Sequence, residues 1–361
     1  MTAFTGFALY EQGALPRPIR RSPPPLDDDQ VLVRVAGCGI CHTDLGFIYR
    51  GIRTRHALPL ILGHEISGVV EEAGAGFAHL AGTPVVVPAV LPCNQCDDCR
   101  AGQTMICTQQ IMPGNDADGG FATHVVLPGA GLCPIPGGSA DPDASLGDVP
   151  GLTLRHMAVV ADAVATAYQA VERSGLGPGE LVVVMGLGGA GGFAAQIAAD
   201  RGAVVVGLDV DPDRLAAGDQ FGCRNTLSPL GRHPREIRAL VRDVAKEFGA
   251  PLTRWTIIEC SGTAAGQQTA FGLLVPGATL MLVGYTLEKV ELRLSNLMAF
   301  DARALGNWGC DPALYPAIVD LVLQGRIALV PHSEIRPLNE IGSALEDVHH
   351  GRAQRRIVLA P

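Results

Sequence analysis

Two hydropathy rhythms follow one another along the chain. Up to about residue 155, short β-branched runs such as 31–35 (VLVRV), 68–70 and 85–87 are punctuated by glycine and proline, as in brief strands joined by turns. The stretch 137–150, rich in Gly, Pro and Asp, reads as a loop. This texture predicts an irregular, barrel-like β-rich module with long loops. Near residue 162 the rhythm changes. Residues 163–173 carry apolar side chains at helical spacing. Buried-strand runs at 181–185, 203–208, 255–259 and 279–283 then take turns with helical stretches at 190–201, 212–221, 236–248 and 264–274. Strands alternating with helices predict parallel βαβ units and a doubly wound sheet. The alternation is expected to end near 297. The predicted plan is α/β: a β-rich module over 1–162, a nucleotide-binding domain over 163–297, and a tail over 298–361 that returns to the first module. No internal repeat or low-complexity segment interrupts it.

A length of 361 residues suits two ordinary domains, and a hydrophobic content of 47% supplies both cores. Only 17% of residues are charged, and 27 basic against 36 acidic side chains leave a net charge of −9. A nucleic-acid partner is not expected from such a balance, since binding phosphate backbones needs a basic face. A local arginine pocket for a smaller anion stays compatible with it. The opening MTAFTGFALYEQGALPRP lacks the basic-then-apolar plan of a secretory signal, and no long apolar run predicts a membrane span. Ten cysteines in this setting read as thiols and metal ligands, so a soluble cytoplasmic protein is expected.

Four of those cysteines, Cys93, Cys96, Cys99 and Cys107, crowd the stretch LPCNQCDDCRAGQTMIC. Their spacing brings four thiolates within reach of one tetrahedral zinc. Neighbouring C-x-x-C pairs close badly as disulfides. A zinc lobe over 92–108 is therefore expected, and its full shell leaves no vacancy for substrate.

Downstream, Gly186-Leu187-Gly188-Gly189-Ala190-Gly191 fits G-x-G-x-x-G directly after an apolar strand and at the start of an Ala-rich helix. That context is the dinucleotide fingerprint. Its glycines serve the tight turn, the approach of a pyrophosphate and close helix packing, and the helix N-terminus faces the phosphates. Asp209 ends the next strand, where a carboxylate takes the adenosine ribose hydroxyls and repels a 2′-phosphate, which favours NAD over NADP. Arg214 is near enough to touch the same ribose. The alternative is that the glycines only end a strand and Asp209 is an exposed turn residue.

Upstream, Cys41-His42-Thr43-Asp44 and Gly63-His64-Glu65 set metal-capable side chains on glycine-flanked turns. One Cys and one His make two ligands, whereas a catalytic zinc takes three and keeps a fourth position open. Spacing alone does not find the third, and singly Cys41 and His64 could be ordinary buried residues.

These turns, the four-cysteine lobe and GLGGAG occur in the order found in zinc-dependent medium-chain alcohol dehydrogenases, which the chain resembles over essentially its whole length. The resemblance implies a GroES-like catalytic domain with a Rossmann domain, two zinc ions and NAD. It implies Cys41 and His64 as catalytic-zinc ligands, and Glu65 as a carboxylate able to exchange onto the metal. Thr43 would be the proton-relay hydroxyl, Asp44 would orient His64, and His42 would lie near the cofactor phosphates. The family's third ligand is usually a cysteine six residues before a tyrosine, a position held here by Asp162 before Tyr168. Where many relatives end the relay in a histidine, this chain has Gly46. A homo-oligomer is implied, a tetramer rather than a dimer.

The segments LTRW, ECSGTAAGQ, KVELRLSNLMAF, ARALGNWGC and YPAIVDLVL further resemble a subgroup, the 6-hydroxycyclohex-1-ene-1-carbonyl-CoA dehydrogenases of anaerobic aromatic degradation. GNDADGGFATHVVLP and ADAVATAYQAV, which carries Asp162, fit the same subgroup. The implied reaction oxidises the ring hydroxyl of an alicyclic acyl-CoA to the 6-oxo enone; alternatives are a small free alcohol or polyol, or 1,4-reduction of the enone. Arg50, Arg53, Arg55, Lys289, Arg293 and Arg303 are candidates for the CoA phosphates, against the alternative of a solvated charged face. In that reading Trp308 is a candidate lining residue of the pocket.

Overall fold

A computed structural model describes residues 3–23 and 25–361. It contains two units: the residues up to Ala165 together with Gly309–Pro361, and Thr166–Trp308.

The first unit is built on a seven-stranded sheet. Its order is Ser333–Pro337, Arg356–Ala360, Gln30–Gly39, Glu65–Ala73, Pro84–Val87 and Cys133–Pro134, with His124–Pro128 also paired to Gln30–Gly39. Only the two C-terminal strands run parallel to each other. A three-stranded antiparallel sheet of Arg17–Arg21, Phe4–Leu9 and Leu60–Ile61 lies in the same unit. The long Gln30–Gly39 strand organises it. Its last residue pairs with Glu65 on one side and with Val358 on the other, so the end of the chain arrives beside the Glu65 turn. Leu9, Ile48, Leu60, Ile61, Ile66, Phe121, Leu345 and Leu359 fill its core.

The second unit is a six-stranded, wholly parallel sheet in the order Asn225–Leu227, Val204–Leu208, Leu181–Met185, Thr256–Glu259, Thr279–Leu282, Arg303–Gly306. Numbered along the chain this is 3-2-1-4-5-6, the dinucleotide-binding order, which reverses between Leu181–Met185 and Thr256–Glu259. The crossover helices include Gly189–Asp200, Pro234–Glu247 and Ala264–Gly272. Pro234–Glu247 starts two residues ahead of its apolar pattern because His233 caps it. The His233 N–H donates to the Glu236 carboxylate at 2.7 Å, while the His233 side chain accepts the Arg235 N–H.

Two strands lack the apolar run that marks the others. Asn225–Leu227 is half-buried, and Arg303–Gly306 is a largely exposed edge. Their main-chain pairing makes them strands, so the parallel sheet continues past 297 to Gly306, in a unit that extends to Trp308. The single helix expected over 212–221 is two short pieces, Pro212–Ala216 and the 3-10 turn Gly218–Phe221. The sheet crowds the second piece, for a Cβ at Gly218 would stand 2.2 Å from Thr226 Cγ2. No helix among the described residues is long and apolar enough to cross a membrane.

Trp255, fully buried in the core of the second unit, donates its indole N–H to the Pro251 carbonyl at 2.9 Å. Trp255→Ala is expected to destabilise this unit by about 3–5 kcal/mol, read as a lowered denaturant midpoint; a change below 1 kcal/mol contradicts this core assignment.

Candidate functional site

Cys41 is the N-cap of the helix His42–Tyr49. His64 and Glu65 follow a turn at Gly63, whose φ of +94° and tight surroundings require glycine: a Cβ there would lie 2.7 Å from Cys38 Sγ and 2.8 Å from Phe121. Asp162 comes at the end of a buried 3-10 turn, His156–Ala161. The fold brings one ligand atom each from Cys41, His64, Glu65 and Asp162 to within 4.8 Å of one another. Cys41 Sγ is 3.6 Å and His64 Nε2 3.5 Å from Asp162 Oδ2. Around a tetrahedral zinc with ordinary bond lengths, these separations would be about 3.6 and 3.4 Å. Residues 121 positions apart thus form a three-donor set that fits zinc. Thr43 Oγ1 lies 3.6 Å from Cys41 Sγ, beside the same set.

Asp44 fixes the two ligand turns relative to each other. Its fully buried carboxylate accepts the Cys41 N–H at 2.9 Å and the Gly63 N–H at 3.2 Å, and its Oδ1 lies 3.5 Å from His64 Nδ1. The imidazole therefore turns Nε2 toward Asp162 and Nδ1 toward Asp44, the two-sided arrangement of metal-binding histidines. Burial opposes charge on His64, yet Asp44, Asp162 and Cys41 together hold it well above its ordinary pKa. So anionic a donor set suits a cation.

Glu65 is clamped. Arg356, on the C-terminal strand, donates Nε–H to Oε2 at 3.0 Å and a second N–H to Oε1. Desolvation pushes the Glu65 carboxyl up to about 7 against the pull of Arg356. Its space depends on Gly39, where a Cβ would come within 2.0 Å of Oε2. Glu65 is thus close to the donor set, but moving onto a metal would cost it part of a bidentate pair. The position held by Gly46 is filled from outside: a Cβ there would stand 2.8 Å from Ile52 Cδ1, leaving no room for a longer side chain unless Ile52 moves.

Cys93, Cys96, Cys99 and Cys107 also converge within 4.8 Å. Sulfur–sulfur distances of 3.5, 3.8 and 4.0 Å bracket the separation of about 3.8 Å that 2.3 Å bonds to one tetrahedral zinc require. All four are free thiols. Asn94 makes the turn in the left-handed region, and the Cys93 and Cys96 N–H groups point at Cys107 and Cys93 sulfurs, both at 3.4 Å. The Gln95 N–H, followed by that of Cys96, brings the Cys93 thiol down to about 6.

In the second unit, the glycine turn has the shape of a phosphate cradle. Gly186 has φ +87°, and a Cβ on Gly191 would stand 1.7 Å from the Gly186 carbonyl oxygen. Gly188 caps the Gly189–Asp200 helix with no side chain across its N-terminus. Asp209 is buried rather than an exposed turn residue; its two oxygens accept the Leu187 N–H at 2.7 Å and the Asp211 N–H at 2.9 Å. Each oxygen keeps a lone pair for a ribose hydroxyl. Arg214 lies over the turn, 3.4 Å from a Cβ built on Gly188 and 3.8 Å from Asp209 Oδ2. Across the switch point Glu259 is fully buried, and its Oε2 has no hydrogen-bond partner among the described residues. These residues fit a dinucleotide.

The candidate cations divide. Arg303 does not stand free for a phosphate, since its guanidinium donates to the Ser174 carbonyl and the Thr279 hydroxyl and so pins the edge strand. Arg55 pairs with Asp116 at 3.2 Å, while Arg50, Arg53 and Lys289 are exposed. Arg356 is the functional residue that sequence reasoning missed. It lies 291 positions from Glu65, and no spacing rule links the two. Arg356→Ala is expected to destabilise the first unit by about 3–5 kcal/mol, because a buried carboxylate loses its partner. Arg356→Ala with Glu65→Gln should recover most of that loss in a denaturation midpoint; additive losses would show that the pair is not the cause.

Residues 27–137 match the alcohol dehydrogenase GroES-like domain, and residues 189–324 match the zinc-binding dehydrogenase family. An alcohol dehydrogenase of Geobacillus stearothermophilus is 28% identical over 98% of each chain. An uncharacterised zinc-type alcohol dehydrogenase-like protein of Escherichia coli is 30% identical over 78% of this chain and 77% of its own. The crystal structure of the alcohol dehydrogenase of Aeropyrum pernix superposes with a TM-score of 0.86 at 28% identity, covering 99% of this chain and 100% of that one. With this fold and these donor sets, the chain belongs to the zinc-dependent medium-chain alcohol dehydrogenase family, oxidoreductases that act on CH–OH groups.

Proposed function

We propose that this dehydrogenase oxidises the ring hydroxyl of an alicyclic acyl-CoA, converting 6-hydroxycyclohex-1-ene-1-carbonyl-CoA to its 6-oxo enone with NAD. The observation that carries this reading is Asp162. It stands where the wider family usually has cysteine, within the subgroup-like ADAVATAYQAV segment, and its carboxylate completes the donor triangle with Cys41 and His64. Cys41, His64 and Asp162 would hold the catalytic zinc, and Cys93, Cys96, Cys99 and Cys107 of the lobe would hold a second, structural one. Bound zinc supplies a Lewis acid that acidifies the hydroxyl, and bound NAD supplies the hydride acceptor.

The chain's own residues do the rest. Thr43 takes the hydroxyl proton at Oγ1, and Asp44 keeps His64 turned to the metal position. Glu65, held by Arg356, stays beside the site without competing for the metal position. His42, on the same turn, is the residue that the family resemblance assigns to the cofactor phosphates. The proton does not leave through position 46, where Ile52 fills the space. In the nucleotide unit Gly186, Gly188, Gly189, Ala190 and Gly191 take the pyrophosphate, while Asp209 and Arg214 take the adenosine ribose. Oxidation of an allylic alcohol to an enone conjugated with a thioester is favourable chemistry for such a site. The working form is a cytoplasmic homotetramer.

A second reading, a free alcohol or polyol as substrate, draws on the engagement of Arg303 and Arg55 within the fold, which removes two of six candidate CoA contacts. The L-galactonate-5-dehydrogenase of Escherichia coli, 29% identical over 83% of this chain, acts on a substrate of that kind. NADH formation with the hydroxy acyl-CoA, its free acid and a polyol separates the two. The acyl-CoA should exceed the free acid in kcat/KM by at least about tenfold, or ~1.4 kcal/mol of binding to the CoA portion. Equal values for ester and acid would sink the acyl-CoA reading and leave the second.

A further inference from the structure

Immediately before Asp162, the Ala161 carbonyl accepts two hydrogen bonds. One comes from the Tyr315 hydroxyl at 2.5 Å and the other from the Ala89 N–H at 3.1 Å. Tyr315 is 1% exposed and opens the helix Tyr315–Leu323, 154 residues further along the chain. The turn ahead of it is itself fixed, since Asp311 accepts the Ala313 N–H at 3.0 Å. Ala89 belongs to the stem of the four-cysteine lobe, which Leu91 and Ile111 close by exchanging two main-chain bonds of 2.9 and 2.8 Å. A carbonyl oxygen has two lone pairs, and here both are used. The backbone one bond away from the Asp162 Cα is thus tied from two directions, by parts of the chain that carry no ligand of that site.

We propose that Tyr315 is a positioning residue for the catalytic metal: it holds the Ala161 carbonyl so that the Asp162 carboxylate meets Cys41 and His64 at ligand distance. The inference rests on Asp162 being a ligand, as proposed above. An aspartate has one more rotatable bond than a cysteine before its ligand atom. The backbone beneath it must be held more firmly to reach the same tolerance of about ±0.2 Å. A buried hydroxyl bonded to a saturated carbonyl supplies that restraint.

The test titrates the full chain with Zn2+ against a chromophoric chelator, with the lobe zinc counted in each sample as a control for folding. Tyr315→Phe should weaken the labile site about tenfold or more, as outer partners of metal ligands do, while the lobe zinc is retained. The Co2+ absorption spectrum of that site should shift. In Asp162→Asn the same Phe substitution should add nothing, because the group being positioned is gone. Tyr315→4-aminophenylalanine, which keeps a donor, should restore most of the affinity. Wild-type affinity and spectrum in Tyr315→Phe, additive losses in the double variant, or an aminophenylalanine variant as weak as the Phe one would each overturn the proposal. Should the Phe variant fail to fold, the aminophenylalanine variant decides by the same measure. If Asp162→Asn leaves metal affinity unchanged, the ligand assignment itself fails, whatever Tyr315 does.

Discussion

One buried carboxylate sets the geometry on which the first unit's chemistry depends. Asp44 accepts the Cys41 and Gly63 N–H groups and faces His64 Nδ1, so it spans the two turns that carry the first two metal donors. A negative charge with no exposure to water is stable only when surrounded by donors, and these turns supply them. The arrangement is reciprocal. The turns need Asp44 to satisfy their main-chain donors, and the buried Asp44 oxygens need those donors in return. Everything else in the site is placed relative to this unit.

Charge balance extends the same logic outward. Cys41, Glu65, Asp162 and Asp44 crowd anionic or potentially anionic groups into a small volume, and Arg356 is the permanent cation beside them. Arginine suits this role because its fork matches a carboxylate and stays charged when buried. The sheet delivers it: Arg356–Ala360 pairs with the strand whose other neighbour carries Glu65. The C-terminal return of the chain is thus part of the site as well as of the core. Gly39, which no side chain could replace without striking Glu65, is the local condition for that pairing.

The two zinc-competent sets differ in how they are made. The lobe is local: four sulfurs within 15 residues, oriented by neighbouring N–H groups and a left-handed Asn94. Its tetrahedron is closed and structural in character. The sparser set draws its donors from three distant turns. A closed local site resists loss, whereas an open site assembled from afar relies on supports such as Asp44 and the Ala161 carbonyl.

The chain's local chemistry was legible from its sequence. Main strands and helices, the four-cysteine lobe, the glycine cradle and the Cys41 and His64 turns follow from periodicity and short spacing, because each is set by residues a few positions apart. Asp162 could be named from family resemblance, yet its approach to within 3.6 Å of Cys41 is a product of the fold. The grip of Arg356 on Glu65, the hydroxyl of Tyr315 on Ala161 and the commitment of Arg303 to Ser174 had no periodic or spacing signal. The same is true of the Arg303–Gly306 strand, which is largely exposed and whose identity comes only from its neighbour. Sequence specifies what each turn can do; which turns meet is decided by long-range pairing and burial, whose partners no local pattern marks.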